Sequence, residues 1–205
     1  MAINSWTTLR VAIEGYWKRT DATNQLDNFI ALAESDIWSV LRCREMEARA
    51  TASASTLSRF IELPDGYIKM RQLQITLDDR LFDMEMVPIK TMSICDRAGI
   101  PTQFTVTSQI EFNRIPDDDY TIEMDYYRSL AAVTSSNATN DVLTNYPMIY
   151  LAGCLGHAFN WSMQPDLATY WKGEFDKQIA AINRKSRNGR FGPAPAMRIN
   201  KGMVI

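Results

Sequence analysis

The residues best equipped for chemistry are few and scattered. The chain holds one histidine, His157, and three cysteines, Cys43, Cys95 and Cys154, far apart. A structural zinc site takes closely spaced Cys and His ligands, and this set lacks the spacing. An odd number of distant cysteines does not read as a disulfide framework. A Ser-His-Asp relay has to use His157, which lies between Gly156 and Ala158 in an apolar stretch. A histidine in the core or at an interface is the simpler reading. Asp117, Asp118 and Asp119 gather carboxylates, yet they lack the alternating oxygen ligands ending in glutamate that a calcium loop uses. They read as a solvated hairpin tip. No glycine-rich phosphate loop is present; Gly153 and Gly156 fall inside the apolar stretch and point to close helix packing. Nothing marks out a carboxylate pair for glycoside hydrolysis. The residues predict no enzyme, no metal site and no cofactor.

The elements that position these residues fall into three blocks. Trp6, Leu9, Ile13, Tyr16 and Trp17 recur at helical spacing over residues 4–18, with Asn4 or Ser5 as cap. A second helix follows to about Glu45, carrying Leu26, Phe29, Ile30, Ala33, Ile37 and Leu41 as its apolar stripe. From about Glu47 the period changes. Leu57, Arg59, Ile61 and Leu63 alternate as a strand, and Pro64-Asp65-Gly66 makes a turn. A strand runs from Tyr67 to Leu77, with a shift of phase between Met70 and Leu73 that predicts a bulge. Asp78-Asp79 turns the chain again. Pro88 opens a short helix over 88–97. Phe104 to Val106, Ile110 to Phe112 and Tyr120 to Tyr126 are strands, the last the cleanest alternation in the chain. Ser, Thr, Asn and Ala fill a linker over 131–140.

The helical period then returns. Thr144 or Asn145 caps a helix with Pro147 in its first turn, and Pro165 and Asp166 start a fourth that fades near Arg187. The tryptophans all fall on these helices and read mostly as core, some as subunit contacts. The predicted fold class is α+β. The N- and C-terminal helix pairs, 1–46 and 140–187, form a four-helix bundle. A β-rich domain over 47–139 is inserted between them, and 188–205 is an extended C-terminal arm.

Composition sets the limits. At 205 residues, 46% hydrophobic and 22% charged, the chain buries a real core without disulfides or metal. No stretch approaches the ~18 apolar residues of a membrane span, and residues 1–10 lack the pattern of a signal peptide. Synthesis in a reducing cytoplasm is expected. The net charge of -2 hides a strong asymmetry: after Asp176 the last 29 residues carry +7, and the first 176 carry -9. The arm also holds Phe191, Met197, Ile199, Met203, Val204 and Ile205. Basic and apolar residues together suit an arm that docks on a protein, charge steering it and apolar anchors holding it. The 18 residues from Asn188 reach roughly 60 Å when extended. A DNA-binding role for the basic arm is the alternative, since clustered Lys and Arg attract any polyanion.

Four segments resemble the head-to-tail adaptor (connector) proteins of podovirus-like tailed bacteriophages. They are Leu143-Thr144-Asn145-Tyr146-Pro147 with the apolar helix to Met163, and Asp119 to Arg128 after the Pro116 turn. The others are Leu63 to Tyr67 leading into Lys69-Met70-Arg71, and the basic ending around Arg187, Arg190, Met197 and Arg198. They occur in the family's order over nearly the whole chain. The resemblance implies a structural subunit of the virion neck that forms a ring, commonly of twelve, beneath the portal. Portal protein, tail or nozzle proteins and further copies of the chain are the implied partners, and genomic DNA passes through the ring without sequence-specific binding. No membrane is involved. In this reading Arg187, Arg190, Phe191, Met197, Arg198, Ile199, Lys201, Met203, Val204 and Ile205 grip the portal. Asp117, Asp118 and Asp119 form a loop facing the tail or the channel. A structural protein further along the neck or tail is the neighbouring alternative.

Overall fold

The computed structural model describes residues 2–19, 21 and 23–191. The chain divides into two compact units, one made of residues up to 44 and from 132 on, the other of residues 45–131. Five α-helices and two four-stranded sheets make the described residues a mixed α+β protein.

In the helical unit, α1 (Trp6–Trp17) starts at a capping box. The Ser5 hydroxyl accepts from the Thr8 amide, and the Thr8 hydroxyl accepts from the Ser5 amide at 3.0 Å. Leu9, Ile13 and Trp17, four residues apart, are its buried side. Helix α2 (Leu26–Val40) buries Leu26, Phe29, Ile30, Ala33 and Ile37 as the stripe predicts. It stops at Val40, not near Glu45, because its last carbonyls find other donors. Arg42 donates through its guanidinium to the carbonyls of Trp38 and Ser39 at 2.9 and 3.0 Å. Asn183 donates to the Val40 carbonyl at 3.0 Å and accepts from the Arg42 amide at 2.7 Å.

A five-residue helix, α3 (Asp141–Asn145), was not expected. It forms because Asn140, in extended backbone, accepts from the Leu143 amide at 2.8 Å and caps it. Helix α4 (Pro147–Trp161) is buried on nearly every side, from Ile149 through Leu155 and again at Ala158 and Phe159. It is therefore the hub against which α1, α2, α3 and α5 pack. Helix α5 runs Pro165–Phe191, past the expected end near Arg187. Arg184, Lys185 and Arg187 complement the negative end of the helix dipole. The sequence offers no proline until Pro193, and a residue preceding proline disfavours helix. Of the expected arm, 188–191 thus belongs to α5, while 192–205 lies outside the described residues.

The second unit is two facing sheets. One has the order β1 (Glu47–Ala54), β8 (Tyr120–Arg128), β3 (Tyr67–Leu77), β4 (Arg80–Asp83), all antiparallel. The other has the order β2 (Phe60–Ile61), β7 (Ile110–Phe112), β6 (Gln103–Val106), β5 (Glu85–Met86), with β5 and β6 parallel. Their inner faces share one core, including Leu73, Ile75, Phe104, Ile110, Phe112, Ile122 and Met124. The register of β3 on β8 shifts between Met70 and Gln72, where the apolar phase of the sequence slips. The predicted strand over Leu57 to Leu63 pairs only at Phe60–Ile61, and Leu57 is fully outside the core at 90% exposure. The helix expected over 88–97 is a single turn. Thr91 and Met92 both donate to the Pro88 carbonyl, and then the Cys95 amide donates to Asn113 at 2.9 Å, which draws the chain onto the sheet instead.

Two turns show the chemistry of φ. Gly66 sits at φ 68°, and a Cβ there would lie 2.9 Å from the Ser129 hydroxyl. Asp78 and Asp79 both have positive φ, 47° and 60°, in the two-residue link between β3 and β4. Such a link favours glycine at its second position. Replacing Asp79 with Gly is expected to raise stability by about 0.5–1 kcal/mol, by relieving a strained backbone. A denaturant midpoint that falls, at unchanged slope, is the contrary result.

Candidate functional site

Among the described residues Glu34 of α2 is a buried carboxylate, 5% exposed. Its Oε1 accepts from the Val133 amide at 2.9 Å and from the Tyr150 hydroxyl at 3.0 Å. Tyr150 in turn accepts from the Asn140 amide group at 2.7 Å, so its single proton is committed to Glu34. Burial raises the Glu34 carboxyl above its ordinary range, against the pull of those two donors. Burial first, then the Glu34 charge, pushes the Tyr150 hydroxyl up, and the same two causes push up the Cys154 thiol. A protonated tyrosine and an inert thiol suit a structural role: the cluster pins residues 133–140 to α2 and α4.

His157 meets Asp36 of α2 at 2.9 Å across a groove of about 460 Å³. Lys172, Phe175 and Asp176 of α5 and the bare backbone at Gly153 and Gly156 also line it. The Ser39 hydroxyl beside it donates to the Asp36 carbonyl at 2.7 Å, and so is not poised on the imidazole. The pair ties α2 to α4 as an interface histidine does. Among the described residues, no group of three His, Cys, Asp or Glu side chains is placed to hold a metal ion.

The prominent surface of the helical unit is aromatic. Sequence spacing places most tryptophans in the core, but only Trp17 is buried there. It packs edge-on against Phe29 and Trp161, with ring centroids 5.5 and 5.8 Å away, and donates to the Ser162 hydroxyl at 3.1 Å. Arg19 lies over the Trp17 and Trp161 rings at 5.5 and 5.4 Å, held there by Asp21. Tyr16 and Tyr170 each meet Trp171 edge-on, at 5.6 and 5.4 Å.

Around this framework the outward side chains are large and apolar. Tyr16, Trp161, Met163, Leu167 and Tyr170 are all exposed, Met163 at 86%. Met163 also has φ 56°, the left-handed region that usually takes glycine after a helix end. A large apolar side chain held exposed in that conformation is the kind of surface feature that partner contacts cover. The signals in the sequence were slight. Tyr16 falls on the helical stripe with Ile13 and Trp17, and periodicity does not tell which of them stays uncovered; Met163 falls in a turn.

The acidic residues are solvated as expected, but they are not a hairpin tip: their loop carries the chain from β7 in one sheet to β8 in the other. Asp117, Asp118 and Asp119 are exposed just before β8. They do not converge on one point: Asp117 accepts from the Tyr120 hydroxyl at 2.8 Å, and Asp118 accepts from the Asp119 amide at 2.8 Å. The hydrogen bond to Asp117, then burial and the charges of Asp117, Asp118 and Asp78, push the Tyr120 hydroxyl up to about 12. The β3–β4 turn and this loop thus make one acidic end. Of the predicted arm, Arg187 is exposed on α5, while Arg190 and Phe191 belong to its last turn. Met197, Arg198, Ile199, Lys201, Met203, Val204 and Ile205 lie outside the described residues.

No helix among the described residues is long and apolar enough to cross a membrane. No curated protein matches the chain. A family model described as SU10 adaptor protein matches residues 4–198, nearly its full length and both units.

Proposed function

Since this chain belongs to the SU10 adaptor protein family, a family of phage head-to-tail adaptors, we propose that it forms a ring that joins the portal to the tail and encloses the channel for DNA. The chain is a structural component of a phage virion, working by association with other virion proteins. The observation that supports the ring is the match across residues 4–198, which leaves neither unit unaccounted for. The ring of about twelve copies rests on the resemblance of the sequence to adaptors with rings of that kind.

In this reading the four long helices form a bundle, and its aromatic end, Tyr16, Trp161, Met163, Leu167 and Tyr170, is the contact between neighbours or with the portal. Head-to-tail repetition of one contact closes a ring when the rotation per subunit fits. The C-terminal arm, from Arg187 through Arg190 and Phe191 to Ile205, grips the portal. Many weak arms on one ring bind together with high avidity. The acidic loop Asp117 to Asp119 faces tail proteins or the channel, where carboxylates repel DNA phosphates and keep the genome sliding.

The test mixes purified protein with portal rings of the same phage and examines them by electron microscopy. A second ring beneath the portal is the expected result. The double substitution Met163→Lys with Tyr170→Lys is expected to abolish it, since both side chains are already exposed and the subunit folds without them. Undecorated portals with folded wild-type protein move the assignment to a neck or tail position further from the portal. The DNA-binding alternative predicts binding to free duplex DNA that weakens steeply with salt.

A further inference from the structure

We infer that the free edge formed by β4 and β5 accepts an added strand, and that its occupant is a basic extended segment of another virion protein. The chain passes from one sheet to the other at this edge: the Met84 amide donates to Leu73 of β3, and the Glu85 amide donates to Thr102 before β6. β4 ends one sheet and β5 ends the other. Among the described residues nothing pairs with their outer side. One edge strand of each sheet therefore lies on a single continuous stretch, 80–86.

Side-chain phase shows that the core is left open here. Phe82 stands opposite Ile75, and Met86 opposite Phe104, both core residues. Phe82, Met84 and Met86 alternate, so they take the inward phase. Met84 is buried at 7% exposure, but Phe82 and Met86 are 48% and 58% exposed. The opposite edge behaves differently. There the inward residues of β1 are Ala48, Ala50, Ala52 and Ala54, small enough to be covered by the sheets themselves. Short charged edge strands usually protect a sheet from pairing. This one is short but presents large apolar side chains in the phase that an added strand would cover.

Charge selects the occupant. Residues 78–86 hold Asp78, Asp79, Asp83 and Glu85 against Arg80 alone. Asp83 accepts from Gln72 and Gln74 at 2.7 Å each, and Glu85 accepts from Gln103 at 3.0 Å, so both carboxylates are fixed along the edge. Hydrogen bonds from Gln72 and Gln74 also hold the Asp83 carboxyl below its usual range and keep it ionised. Pairing with the same edge of a second copy would set carboxylates against carboxylates, which disfavours it. A strand with Lys or Arg on one phase and Val, Ile or Met on the other satisfies the edge amides, the apolar phase and the charge together.

The inference rests on the adaptor reading only for the source of the partner, and its test needs no portal. The probe is a nine-residue peptide alternating Lys with Val or Ile, mixed with the full chain. Controls are a scrambled peptide of the same composition, a Glu-for-Lys version, and one N-methylated on alternate residues. Hydrogen exchange should show protection over residues 80–86, with the alternating basic peptide binding at least tenfold tighter than any control. Phe82→Ser with Met86→Ser, both half-exposed, should weaken it at least tenfold while the rest of the exchange pattern stays native. No protection over 80–86, or equal binding by the N-methylated or scrambled peptide, overturns the inference. Pairing of the chain with itself through this edge, seen as concentration-dependent protection without peptide, overturns the choice of occupant.

Discussion

Replacing Glu34 with Ala is expected to destabilise the helical unit by about 2–4 kcal/mol, because two buried donors lose their acceptor at once. The Val133 amide and the Tyr150 hydroxyl both point at Oε1. Glu34→Gln keeps an oxygen at that position and removes the charge, so its stability at neutral pH should stay within about 1 kcal/mol of wild type. The pH dependence separates charge from hydrogen bonding. Burial raises the folded-state pKa of Glu34 above the ordinary 4.5. The folded protein then binds this proton more tightly than the unfolded chain. The ionisation penalty is fully present above the folded pKa, shrinks as pH falls through it, and is gone below the unfolded value. Wild type minus Glu34→Gln should therefore become more favourable as pH drops from neutral toward 4.5. Urea denaturation at several pH values reads it directly. A difference that is flat, or grows in the opposite direction, means that Glu34 is no carboxylate with a raised pKa.

Gly153→Val is expected to cost about 2 kcal/mol or more, while Gly156→Ala in the same helix is neutral or stabilising by up to about 1 kcal/mol. Both glycines weaken α4 by propensity, so the contrast isolates packing. A Cβ at 153 meets the Ala33 Cβ at 3.0 Å and the Phe175 ring at 3.4 Å. Ala33 has no flexible end to move, so α2 itself has to give way, and valine adds two methyls to that contact. A Cβ at 156 finds its nearest neighbour, the Lys172 amide, at 3.9 Å, which is ordinary contact. Thermal melts of the two variants settle it. Equal midpoints would mean that α2, α4 and α5 do not depend on the close approach at Gly153.

Much of this was legible in the sequence for a physical reason: its signals are local. Helix periods, the bulge between Met70 and Gln72, the Gly66 turn and the alternation of β8 need only neighbours in the chain. The change from helix to strand and back is of that kind too, and the family match over 4–198 agrees with the ordered motifs read from residues alone. The exposure of Asp117 to Asp119 was also legible, because consecutive aspartates have no buried alternative; that their loop crosses between sheets was not.

What needed the tertiary structure are the features made by residues far apart. α2 stops at Val40 because Asn183, 143 positions away, takes its last carbonyl. The turn after Pro88 is not continued as a helix because Asn113 captures the Cys95 amide. Glu34 stands beside the apolar stripe of α2 as a charged residue whose type favours solvent, and it is buried only because Val133 and Tyr150 supply donors. The tryptophans look alike in sequence. The choice of Trp17 for the core and Trp161 for the surface follows from which helices surround α4. Periodicity states that a face is apolar; whether that face is covered, by this chain or by a partner, is decided by the packing of segments that sequence distance keeps apart.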